Sequence, residues 1–277
     1  MNTKETERMA SSQMSLSKAR NFGTEMIKIP RLIADRMKEK FRLNIAPVFR
    51  GKNVGFKETY ALSLDNLEDM LWVVEKDEDS YNHIRIYFTH YKDEFSGSYS
   101  QLNGFENSLC LMYSRAMDRT ELNEYNAIYS SYNQVHVRKA DFDVVKQKFE
   151  AVFQSLVGGI TTQEQGYTNF VMIPRIELLA YYSKIVLYNK YHNDNKIVTV
   201  NVCLASTLDA AEIRALETYG IENGEIEVSS LEVKKLIDRA YSPNQLTVVF
   251  DSIDESNKVV DNVSDYDMNS LCPNQCP

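Results

Sequence analysis

The sequence predicts an α+β protein, with helices packed on a mostly antiparallel sheet of about five strands. A basic helical N-terminus and a disordered acidic C-terminal tail complete the expectation. Three observations lead there. Apolar residues recur at helical spacing in segments such as "DFDVVKQKFEAVFQSLVGG" and at a period of two in segments such as "HIRIYFTH". Glycine and proline are scarce, at 10 and 6 in 277 residues, which favours long regular elements. Charge is segregated: residues 1–60 hold 13 Lys and Arg against 6 Asp and Glu, and the rest holds 18 against 33, for a net charge of -8. Opposite charges on two parts of one chain suit a basic helix docked on its own acidic domain, or two faces meeting different partners.

Residues 1–23 are polar and are expected to be disordered. "TEMIKIPRLIADRMKEKFRL" then forms a basic amphipathic helix, with Pro30 in its first turn. Ser63 caps a leucine-striped helix through "SLDNLEDMLWVVEK". "HIRIYFTH" alternates as a half-buried strand, and "SLCLMYSRA" pairs with it antiparallel. "RTELNEYNAIYSSY" reads as a short helix or an irregular segment, and "NQVHVRKA" as a third strand. The phenylalanine-rich helix after it is capped by Asp141 and ended by Gly158. Helices are expected from about Arg175 to Tyr191, over 207–220 with Thr207 as cap and Gly220 as stop, and within "EVSSLEVKKLIDRAYS", with strands at 196–206 and 245–253. Helix–strand modules at 24–158 and 159–253 result, either separate or one continuous domain, followed by a tail over 254–277.

No secretory signal and no apolar run long enough to span a bilayer occur, so a cytoplasmic protein is expected. Gly-rich phosphate loops and nucleophile elbows are also missing, and no cofactor is expected. Cys110 and Cys203 sit in apolar strands and read as small buried hydrophobes. No metal site is expected, and Cys272 and Cys276 are its weak candidates; C-x3-C supplies two of the four ligands zinc needs, so a shared site between two copies, a disulfide or idle thiols stay open. "DYDMN" spaces oxygens like the start of a calcium loop but lacks the loop's glycine and closing glutamate. His83 and His90 flank one strand and point to opposite faces, and His136 lies on another.

The strand "HIRIYFTH", the strand "SLCLMYSRA" and the ending "SLCPNQCP" together resemble a group of small uncharacterised Bacteroidetes-type bacterial proteins with an IRIYF-like strand and a terminal LCPxxC segment. The resemblance covers about residues 60–117 and the last eight. It implies a bacterial origin, but no activity, cofactor or catalytic residue.

The leading functional expectation is a non-enzymatic interaction or regulatory protein, bound to a protein partner or to itself. Its contact residues are expected on the basic helix (Lys28, Arg31, Arg36, Lys38, Lys40, Arg42) and on a tyrosine-rich helix (Tyr181, Tyr188). One alternative is an enzyme with a site assembled near His83, His90 and His136. The other is a nucleic-acid or membrane-surface binder acting through residues 18–57.

Overall fold

A computed structural model describes residues 28–71, 81–91, 98–102, 105–117, 120–128, 135–157, 168–226, 233–234, 237, 244–264 and 270–272. The expected disordered stretch 1–23, the end of the "SLDNLEDMLWVVEK" helix, the Gly158–Gly159 boundary, most of the helix within 227–242, the "DYDMN" segment and Cys276 lie outside these residues.

The chain is α+β, with helices laid over antiparallel sheets. Helix α1 (Arg31–Lys40) starts after Pro30, passes through a π turn (Phe41–Ile45) and continues as α2 (Ala46–Gly51). Strand β1 (Thr59–Ser63) leads into α3 (Leu64–Leu71), where the Ser63 hydroxyl accepts the Asn66 amide at 3.1 Å, the expected cap. Strands β2 (His83–Tyr91), β3 (Ser108–Met117), β4 (Thr120–Glu121), β5 (Tyr125–Ile128) and β6 (Val135–Val137) follow. Next come α4 (Lys139–Val157), β7 (Phe170–Pro174), α5 (Arg175–Tyr191), β8 (Ile197–Ser206), α6 (Ala210–Glu222), β9 (Leu246–Asp254) and β10 (Ser270–Cys272).

Two sheets form. The larger runs β10-β7-β2-β3-β5-β6, with β4 also on β3; the smaller runs β1-β8-β9. Strands from both sides of the 158/159 boundary pair in both sheets: β7 lies on β2, and β1 lies on β8. One apolar cluster joins the large sheet to the inner face of the small one, through Tyr60, Val202 and Phe250 on one side and Ile86, Leu109 and Leu111 on the other. The Tyr60 hydroxyl crosses between them to the Leu109 carbonyl at 2.7 Å.

Several sequence expectations need correction. "RTELNEYNAIYSSY" contributes β4 and β5, not a helix, because the open edge of β3 pairs with both. Strand β2 is buried on both faces after His83, not half-buried. Helix α4 covers the second face, and Phe142 meets the Tyr87 ring at 4.9 Å. Asp141 lies inside the first turn of α4, held by the Tyr99 hydroxyl at 2.5 Å and by Arg138. The cap of α6 is Asp209, which forms a reciprocal capping box with Glu212; Gly220 sits within that helix, where a Cβ would meet the Ile226 side chain at 2.6 Å. Part of the expected disordered tail is built into the fold. Val260, Val263 and Ser264 are buried, the Ser264 hydroxyl accepts the Ser252 amide at 2.8 Å, and β10 pairs with β7.

Candidate functional site

Helix α1 presents two stripes. Ile33, Ala34 and Met37, with Ile29 just before the helix, pack on Ala205 and Val249 of the outer face of the small sheet and on Leu208 and Ile213. This gives α1 an apolar anchor that ordinary burial stabilises. Beside that stripe stand Arg31, Asp35, Lys38 and Arg42, spaced so that they follow one side of the helix.

Beneath them the sheet turns polar. In the antiparallel register Thr59 faces Cys203 and Asn201 faces Asp251, so the four side chains share one face. The apolar Tyr60, Val202, Leu204 and Phe250 alternate to the other. Helix stripe and polar strand face enclose a cavity of about 220 Å3, with Glu58 at its rim.

The floor is held by Asp251. Its Oδ2 accepts the Lys38 ammonium at 2.7 Å, between side chains only 7% and 12% exposed. The Cys203 thiol donates to the same oxygen at 3.4 Å, and Thr59 Oγ1 lies 3.8 Å from the sulfur. Burial, then the Asp251 carboxylate, pushes the Cys203 thiol up to about 12, so it remains a protonated donor. Asp251 Oδ1 is buried with no hydrogen-bond partner. The rim is looser. Arg42 Nε meets Glu58 at 2.8 Å, and Arg31 meets Asp261 at 2.6 Å and Asp35 at 3.5 Å, all with substantial exposure.

Of the basic residues expected to meet a partner, Lys38 and Lys40 turn inward, whereas Arg31, Arg36 and Arg42 stay exposed within ion pairs. Arg31, Lys38 and Arg42 line the cavity, buried Lys40 pairs with Glu212 of α6, and Arg36 pairs with Glu39 on its own helix at 2.6 Å. Lys28 is half-buried ahead of α1. Such pairing offsets the charge of these residues, which form part of the segment 18–57 that a phosphate-binding role would use. Tyr181 is not a contact residue: it is fully buried, its hydroxyl 2.7 Å from Ser252 Oγ and its ring edge-on to Phe250. Tyr188 is half-buried and stacks on His192 at 3.9 Å.

The histidines do not converge. His83 and His90 lie at opposite ends of β2, roughly 23 Å apart at the rise of a strand. His136 faces Asn126, Asn126 faces Tyr113 and Tyr113 faces Ile86, so His136 stands three strands from β2. His83 Nδ1 meets Asn82 Oδ1 at 2.6 Å, and His90 Nε2 meets Asn107 Oδ1 at 3.0 Å. Among the described residues no group of three or more His, Cys, Asp or Glu side chains is placed to hold a metal. Cys272 lies opposite Phe170 in the backbone pairing of β10 with β7. Burial pushes the Cys110 thiol up to about 12.

Sequence reading missed Asp251, Asn201, Thr59 and Glu58. A signal was present in "QLTVVFDSI" and "KIVTVNVCLAS", where Asp251, Asn201 and Cys203 fall on the alternate, non-core positions of apolar strands.

Fold and site together define an α+β protein of two antiparallel sheets with a charged cavity under its first described helix. Comparison with family models, with curated proteins and with solved structures finds no match. No helix among the described residues is long and apolar enough to cross a membrane.

Proposed function

We propose that the chain is a non-enzymatic, cytoplasmic interaction protein that associates with a second copy of itself through the C-terminal end of α5. One observation carries the reading: Leu187 and Tyr191, one turn apart, are 54% and 70% exposed, whereas Leu178, Leu179, Tyr181 and Ile185 of the same helix are buried. Lys190 Nζ lies 5.8 Å over the Tyr191 ring, and Lys196 is exposed next to Ile197. The Asn189 side chain grips both backbone polar groups of Ile197, at 2.8 and 2.7 Å, so the helix end is rigidly placed. An apolar, aromatic and basic tip on an acidic protein suits the acidic surface of another copy. Sedimentation velocity over a concentration series tests it. The wild type should gain mass between about 1 and 100 µM, and Leu187→Glu/Tyr191→Glu should stay monomeric with an unchanged melting temperature. A wild type monomeric throughout, or a double variant that associates equally well, overturns the proposal.

A further inference from the structure

Three properties of the cavity beneath α1 belong together. It is electrically balanced, since Arg31, Lys38 and Arg42 face Asp35, Glu58 and Asp251. It is small: its volume of about 220 Å3 falls below the roughly 300 Å3 at which drug-sized pockets begin. Its floor holds a buried carboxylate with one unpartnered oxygen, Asp251 Oδ1, beside the amide of Asn201. A buried ion pair such as Lys38–Asp251 is weak support for a fold, because desolvation offsets its attraction. Here it occupies a strand face whose other half, at Ala205 and Val249, is apolar and well packed.

We infer that this cavity binds a small zwitterion carrying one ammonium and one carboxylate, of free α-amino-acid type. Asp251 and Asn201 accept the ammonium, and the guanidinium of Arg42 takes the carboxylate in place of Glu58. The Arg42–Glu58 pair is solvent-exposed on both sides, and such pairs are worth at most about 1 kcal/mol, so a ligand carboxylate exchanges into it readily. A ligand of one sign would leave the balanced cavity with an uncompensated charge, whereas a zwitterion adds none.

Titration calorimetry on the full chain tests this with glycine, L-alanine and L-glutamate, using acetate and methylammonium as single-charge controls. At least one amino acid should bind with a Kd below about 1 mM, and both controls at least about tenfold more weakly. Asp251→Asn should weaken amino-acid binding about tenfold or more. Arg42→Gln, at an exposed rim position, keeps the test valid if the Asp251 variant fails to fold; it should weaken binding about tenfold with an unchanged melting temperature. No amino acid binding at about 10 mM, controls that bind as well as amino acids, or an Arg42→Gln protein that binds like wild type each overturns the inference.

Discussion

Two sheet carboxylates, half-buried Glu121 in the large sheet and buried Asp251 in the small one, are treated in opposite ways. Glu121, on β4 of the large sheet, is saturated. It accepts the Tyr87 hydroxyl, the Tyr125 hydroxyl at 2.5 Å and Arg85 Nη1 at 3.1 Å. Its tyrosines are locked in turn, since the Tyr125 ring stacks on Phe142 at 3.7 Å and Phe142 meets Tyr87 edge-on. Burial alone raises the Glu121 carboxyl, but the Tyr125 and Tyr87 hydroxyls, with Lys146 and Arg85, hold it below its usual range. Asp251, on β9 of the small sheet, has one oxygen shared by Lys38 and Cys203 and one with no partner. A fully bonded carboxylate is a clasp that fastens strands to one another. An incompletely bonded one beside a cavity has acceptor capacity left for something that arrives later.

The comparison can be broken at three points. The largest effect is expected from Glu121→Ala, which removes the acceptor of the Tyr87 and Tyr125 hydroxyls and one ion-pair partner of Arg85, and should lower stability by about 3 kcal/mol. Urea unfolding measures it, and a loss under about 1 kcal/mol would make Glu121 as dispensable as a surface charge. A smaller effect should appear in acid. The folded Glu121 carboxyl lies below its unfolded value, so the unfolded chain binds the proton more readily. Its contribution is complete above the usual glutamate range, near pH 4.3, and disappears as pH falls through the lower folded value. Glu121→Gln should therefore flatten the wild-type decline in melting temperature in that window, and an unchanged acid slope would locate the decline in other carboxylates. The smallest effect belongs to the other side of the comparison. Replacing the pair as Lys38→Met/Asp251→Leu should leave stability within about 1 kcal/mol of wild type, or raise it. A loss approaching that of Glu121→Ala would show that Asp251 is a second structural clasp.

The sequence carried much of the fold and almost none of the site, for physical reasons. Helix α5 was legible to the residue, and β2 against β3 was legible as a pair, because each follows its own period over many residues. The β4–β5 segment misled because Leu122, Tyr125 and Ile128 recur every third residue like a helical face, and pairing with β3 outweighed that local pattern. Tyr181 misled because a tyrosine near lysines reads as a surface residue, whereas the small sheet closes over that side of α5. Docking of a basic N-terminal helix on acidic elements followed from charge segregation, and the pairs of Lys38 with Asp251 and Lys40 with Glu212 bear it out. The cavity had no linear trace. Arg31 and Asp251 lie on elements at opposite ends of the described chain, and only the register of β8 against β1 and β9 brings the floor residues together.

That register has a consequence for biosynthesis. Thr59 and its neighbour Cys203 are 144 positions apart, and β9 completes their layer only after Leu246. Until β8 and β9 have both been synthesised, the apolar side of α1 lacks the complete sheet face that it packs on. Maturation should therefore be slow and dependent on holdase protection until β9 has been synthesised.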